Sequence, residues 1–193
     1  MLSTIHFHCE EHDGISVLKL CSEDGTNRLS RSCVRDLADT IEKLAEAPRP
    51  LIITGNQHFF SAGADLHEIA RLGTDAFDFA LMGQRLMRAV DDFPALVCAA
   101  VYGYAMGGGL DLVLACDMRI AHPHAIFGHR GAALGMITGW GGTQRLPRLI
   151  GRAKAMEMFV AAEKLTAAKA LDIGLVDEIS DDPIARATKL LRR

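Results

Sequence analysis

Two glycine-bearing segments hold the residues of this chain whose types and spacing could do chemistry: Phe60-Ser-Ala-Gly-Ala-Asp65 and Gly103-Tyr-Ala-Met-Gly-Gly-Gly-Leu-Asp111. Ser61 is not spaced as a hydrolase nucleophile. The elbow of that chemistry requires Gly-x-Ser-x-Gly, and Phe59 stands where its first glycine would be. The second segment is not a P-loop, because Leu110-Asp111 follows its last glycine where Lys and then Ser or Thr are needed. Three successive glycines entering a helix do offer unpaired backbone N–H groups at the positive end of a helix dipole. Such donors can cradle a phosphate or a developing oxyanion. Read by packing alone, Gly63 supplies freedom in φ to a tight loop, and the triplet lets its turn lie close against a neighbouring strand. Asp111 reads either as an acid or base, or as a carboxylate favoured by the helix dipole.

The elements that must position these residues follow from apolar periodicity and its punctuation. Ile15 to Leu20 alternates weakly, as a strand does, and Asp24-Gly25 is a turn. Ser30 or Ser32 caps a helix predicted over Val34 to Ala47, which Pro48 and Pro50 end. Leu51 to Thr54 is short, apolar and β-branched, so it reads as a buried parallel strand. An amphipathic stretch, Leu66 to Leu72, and a helix over Thr74 to Asp91 precede a second buried strand, Ala95 to Val101. Leu110 to Cys116 is a short helix, and Met118 to Ala121 and Ala125 to Phe127 are strands. Helices are predicted over Gly142 to Leu149, Ala153 to Ala161 and Ala167 to Leu171, and Pro183 to Arg193 is a helix-permissive, basic tail. The order strand, glycine turn, helix occurs after Thr54 and again after Val101, which aims two backbone turns at one cleft of an α/β fold.

Composition narrows the partners. The chain has 193 residues, the size of one domain, and 49% hydrophobic residues, enough to close a core. A net charge of −3 points away from nucleic acid and anionic membrane surfaces. The longest apolar stretch, Ala95 to Ala105, is too short to span a bilayer, and residues 1–13 carry no apolar signal core. Five cysteines with no Cys-x-x-Cys pair suit reduced thiols in a cytoplasmic protein. His6, His8 and His12 fit an exposed edge strand better than a metal site, and no metal is expected.

Taken together, the two glycine segments resemble the signature of the crotonase (enoyl-CoA hydratase/isomerase) family. The likeness continues in order through Ala115-Cys-Asp-Met-Arg-Ile-Ala121, Phe127-Gly128, Leu134-Gly135, Gly141-Gly-Thr-Gln-Arg-Leu146, Gly151 and 170–176, with Asn27-Arg-Leu-Ser30 near the start. The resemblance implies a ββα spiral, in which residues 1–180 form the acyl-CoA-binding domain and 181–193 stand for a much longer helical C-terminal region. It implies an oxyanion hole from the backbone N–H groups of Ala64 and Gly108, with Asp111 in the place of the first catalytic glutamate. Because this turn faces a cleft, a side chain at Gly108 is expected to fill the carbonyl's place and leave the fold intact. Substrate contacts are implied for Arg28, Leu29, Ala62, Asp65, Leu66 and His67, for Met106 and Gly107, and for Arg130, Gly131, Gly139 and Trp140. The ligand implied is an acyl-CoA thioester with no cofactor beyond that coenzyme A, and the assembly a homotrimer or a dimer of trimers.

Two departures stand out. Gly131 occupies the position of the family's second glutamate, and Arg130 replaces the proline before it. His129 is two residues away, and a strand here would turn both to the same face. Three activities are therefore compatible with the residues: a hydratase or isomerase relying on Asp111, a decarboxylase or thioester hydrolase needing only a stabilised enolate, and an acyl-CoA-binding protein without catalysis.

Overall fold

The computed structural model describes residues 2–71 and 73–192; Leu72 and Arg193, the ends of two predicted segments, lie outside the described residues. The chain opens with β1 (Leu2–Ser3), β2 (Phe7–His12) and β3 (Ile15–Leu20), with β2 and β3 joined by Asp13-Gly14. Both turn residues have positive φ, at 53° and 77°, the conformation a two-residue hairpin requires. β4 (Arg28–Leu29) leads to α1 (Arg31–Leu44), whose cap is Ser30: its Oγ accepts from the Cys33 N–H at 3.2 Å. Then come β5 (Leu51–Thr54), β6 (Phe59–Ser61), β7 (Gly63–Ala64), α2 (Leu66–Ile69) and α3 (Ala76–Asp91). β8 (Val97–Val101), β9 (Tyr104–Met106) and α4 (Gly108–Ala115) repeat the pattern, as do β10 (Met118–Ala121), β11 (Ile126–Gly128) and α5 (Gly142–Ile150). α6 (Arg152–Ala161), β12 (Leu165–Thr166), α7 (Ala167–Asp172), β13 (Glu178–Ile179) and α8 (Pro183–Leu191) complete the described chain.

The strands form a seven-stranded sheet in the order β1-β2-β3-β5-β8-β10-β13, a four-stranded sheet β12-β11-β9-β6 and the pair β4-β7. From β3 to β13 the large sheet is parallel. Three successive units, starting at β5, β8 and β10, each place one strand in the large sheet, the next in the smaller one, and then a helix. This is the ββα spiral that the resemblance implies.

The large sheet is covered on both faces, which is why its central strands are apolar throughout. Side chains alternate across β5 and β8. Leu51, Ile53, Val97, Ala99 and Val101 join the main core with α1, α3 and α4, whereas Ile52, Cys98 and Ala100 join Ile15 and Ile120 beneath Ala187 and Leu191 of α8. The predicted tail is thus a helix that seals the second face. No helix among the described residues is long and apolar enough to cross a membrane.

Candidate active site

The two glycine segments meet because Asn27 ties them down. Asn27 is buried with φ 52°, and its side-chain amide donates to the carbonyls of Phe59 at 2.9 Å and Phe60 at 3.2 Å. Ser61 answers by donating to the Asn27 carbonyl at 2.7 Å and accepting from the Gly63 N–H at 3.1 Å. Ser61 is therefore a buried structural hydroxyl. β7 then pairs in parallel with β4, and the Asp65 N–H reaches the Leu29 carbonyl at 3.4 Å. Successive N–H groups alternate between the edges of a strand, so that of Ala64 points away from β4.

Gly63 has φ 91°, and a Cβ there would lie 2.5 Å from the Met106 carbonyl oxygen and 3.1 Å from the Gly108 nitrogen. A Cβ on Gly109 would come within 2.7 Å of Ser61 Cβ. Absent side chains thus let the two turns touch backbone to backbone. Gly107, at φ 52°, turns the chain into α4 and gives its own N–H to the Gly128 carbonyl at 2.9 Å. Gly108 opens α4, where the helix leaves backbone donors without internal partners.

These groups face a cleft of about 840 Å³ lined largely by apolar side chains. Ala62, Ala64, Met106, Gly107, Gly108 and Asp111 form its floor, Phe59, Phe79, Tyr104 and Trp140 wall it, and exposed Leu66, Arg130 and Lys164 also line it. Trp140 is buried and meets Phe79 edge-on, with ring centroids 5.2 Å apart and planes at 84°. Its indole also rests on Gly83 and Gly108. A Cβ on Gly108 would stand 2.4 Å from Trp140 Cζ3, so the expectation that Gly108 tolerates a side chain with the fold intact is corrected: such a side chain strikes the cleft wall.

Asp111 lies in the first turn of α4 with its side chain fully buried. The Thr138 hydroxyl donates to Oδ2. Oδ1 lies 3.3 Å from Nε2 of His129, whose side chain is 4% exposed. That contact lacks hydrogen-bond alignment, and neither atom has a hydrogen-bond partner among the described residues. Gly142, the first residue of α5, backs directly onto the pair.

His129 and Gly131 do not share a strand face, because β11 stops at Gly128. Gly131 instead starts a 3₁₀ turn, at φ −57° and ψ −42°, and its carbonyl accepts from Leu134 and Met136 at 2.8 and 2.9 Å. Gly131 and Gly139 both line the cleft. Four residues implied as substrate contacts do not line it. Arg28 pairs with Asp24 at 2.5 Å, Leu29 is in the core, Asp65 caps α2, and His67 is exposed on α2. No local pattern marks Thr138, whose role depends on a loop folding back over α4. Phe79, Tyr104 and Lys164 also escaped notice; Lys164 Nζ sits 5.0 Å from the Tyr104 ring centroid.

Known proteins match this arrangement. The family model described as enoyl-CoA hydratase/isomerase matches residues 10–190. A probable enoyl-CoA hydratase of Bacillus subtilis is 42% identical over 154 residues, covering 78% of this chain and 60% of the relative. A crotonyl-CoA hydratase of Syntrophomonas wolfei is 36% identical over 174 residues, covering 88% and 67%. The chain thus spans 60% and 67% of the length of these two relatives. The crystal structure of an enoyl-CoA hydratase from Bacillus anthracis, 32% identical, superposes with a TM-score of 0.92 over 97% of this chain and 75% of that one. In sequence and in fold, the chain belongs to the enoyl-CoA hydratase/isomerase family.

Proposed function

We propose that this protein binds an acyl-CoA thioester and acts on it as an enoyl-CoA hydratase or isomerase. The observation that carries this reading is the meeting, in one apolar cleft, of the backbone at Ala64 and Gly108 with the buried carboxylate of Asp111. A thioester carbonyl gains negative charge as its α-carbon becomes an enolate, and two fixed N–H donors favour that state over the ground state. Each such donor is typically worth ~3 kcal/mol of barrier. Asp111 supplies a carboxylate at the reacting carbons, and exposed Arg130 offers a cation to the coenzyme A phosphates. The chemistry uses no cofactor beyond the substrate's own coenzyme A. The relatives named as enoyl-CoA and crotonyl-CoA hydratases support this substrate class.

Exposed apolar side chains such as Phe77, Ile137, Met156 and Val160 support self-association as a homotrimer or a dimer of trimers. Five unpaired cysteines support a reducing, cytoplasmic setting. A mass-spectrometric panel of acyl-, enoyl- and malonyl-CoA esters tests the activity. The expected result is binding of short acyl esters and the gain of one water by the enoyl ester. Absence of any bound or altered ester would refute the reading, and turnover confined to malonyl esters would replace it with decarboxylation.

A further inference from the structure

Hydration needs a group to take the proton of water and deliver one to the α-carbon, and Gly131 offers none. The structure assigns that work to His129, with the Asp111 carboxylate beside it. This assignment rests on the acyl-CoA reading above and adds the identity of the proton carrier. Its basis is geometric. His129 Nε2 and Asp111 Oδ1 are both buried, stand 3.3 Å apart at the cleft and have no hydrogen-bond partner among the described residues. Buried polar atoms are rarely left so, and an unpartnered base beside an unpartnered carboxylate oxygen marks a place where one polar ligand would bridge both from the cleft side. The surroundings keep both in position. Thr138 donates to the other carboxylate oxygen, Phe159 of α6 packs on the imidazole with centroids 5.2 Å apart, and Gly142 approaches both atoms because it lacks a Cβ.

Asp111 Oδ1 accepts a hydrogen bond from water and orients it. Neutral His129 takes a proton from that water as the oxygen bonds to C3 of the enoyl thioester. The C2–C3 π pair shifts to make the enolate, held at its oxygen by the N–H groups of Ala64 and Gly108. The imidazolium then returns its proton to C2, so the ester gains one water and the histidine is regenerated. The carboxylate of Asp111 steadies the imidazolium in between.

The ionisable groups around the ring are few. Asp111 faces it from α4, and Arg130 and Lys164 line the same cleft. Arg152 of α6 lines the second hollow that His129 also borders. From α5 the ring meets Gly142, while Arg145 turns to Asp91 at 3.1 Å. A base that must be neutral to accept the proton gives the activity an acid limb.

The test compares the parent chain with His129→Gln, which keeps a polar side chain but cannot carry the proton. Crotonyl-CoA hydration should fall by ~10²–10⁴ in kcat, and the acid limb of kcat/KM should disappear. Affinity for butyryl-CoA, which cannot be hydrated, should hold within about threefold, a change in the chemical step and not in ground-state binding. A variant with the parent's kcat and acid limb overturns the proposal, and intact butyryl-CoA binding in that case leaves the acyl-CoA reading standing. A parent that does not bind butyryl-CoA overturns both. Should His129→Gln melt early, exchange of butyryl-CoA α-protons with D₂O by the parent decides. A loss of exchange as the solution is made acid supports His129, and a flat profile overturns it.

Discussion

Replacing Gly142 with alanine adds one methyl group at the point where Asp111, His129 and Thr138 converge. The backbone accepts the change: Gly142 begins α5 without a positive φ, and alanine is about 1 kcal/mol better than glycine inside a helix. The new Cβ is the whole perturbation. It would lie 2.1 Å from Asp111 Oδ1, 2.8 Å from Thr138 Cγ2 and 3.0 Å from His129 Nε2, where ordinary contact begins at 3.4 Å. The carboxylate must therefore move by more than an ångström, and it is the end of a short, buried side chain held by Thr138. Displacements of about 1 Å at a reacting group cost on the order of 10²-fold in rate. Overpacking by one methyl costs about 1–3 kcal/mol, partly offset by the helical gain. Gly142→Ala should thus lose about a hundredfold in kcat for crotonyl-CoA hydration. Its melting temperature should fall only a few degrees, at roughly 2–4 °C per kcal/mol for this chain length. Steady-state kinetics beside a thermal melt separate the two effects. A variant with the parent's kcat would refute the reasoning, because the Asp111 carboxylate could not then be working from the described position.

Two further substitutions probe the same frame. Gly131→Glu restores the family's second carboxylate in name only: its Cβ would stand 2.6 Å from the Met136 carbonyl oxygen, across a turn closed by two hydrogen bonds. The expected result is no gain in hydration and a loss of about 1–3 kcal/mol in stability; a rise in kcat with an unchanged melt would contradict it. Asp182 caps α8 by accepting from the Ala185 N–H at 3.0 Å and from the Tyr102 hydroxyl at 2.8 Å, and those bonds hold its carboxyl below the usual range. A depressed folded-state value stabilises above the unfolded value, near 3.9 for aspartate, and is lost as pH falls through the folded one. Asp182→Ala should therefore cost about 1 kcal/mol at pH 7 and progressively less in acid, read by melts across the pH range. A penalty that does not shrink in acid would rule out the charged cap.

Legibility in the sequence followed the range over which each signal acts. Leu51–Thr54 was readable because a strand buried on both faces must be apolar and β-branched along its whole length. Tyr104–Met106 was not: it looks like part of a glycine turn, and it is a strand only because Phe59–Ser61 and Ile126–Gly128 flank it. The same holds at the site. Ala64, Gly108 and Asp111 came into view through the family resemblance, which the two glycine segments carry as a local pattern. The approach of His129 to Asp111 was not, since it depends on where β11 ends and how α5 returns over α4. Arg28 was legible as a cation but not as Asp24's partner, a choice made by the turn that holds them.

The position of α8 has a kinetic consequence. Ala187 and Leu191 close over Ile15, and Arg192 reaches Asp13, a contact between residues 179 positions apart. Loop-closure entropy must be met before such a contact stabilises anything, so this face of the sheet forms late in folding. Until it does, Ile52, Cys98, Ala100 and Ile120 present a continuous apolar stripe on paired strands. Chains emerging from synthesis carry that stripe uncovered until α8 appears, which makes the interval before α8 docks a period of exposure to aggregation.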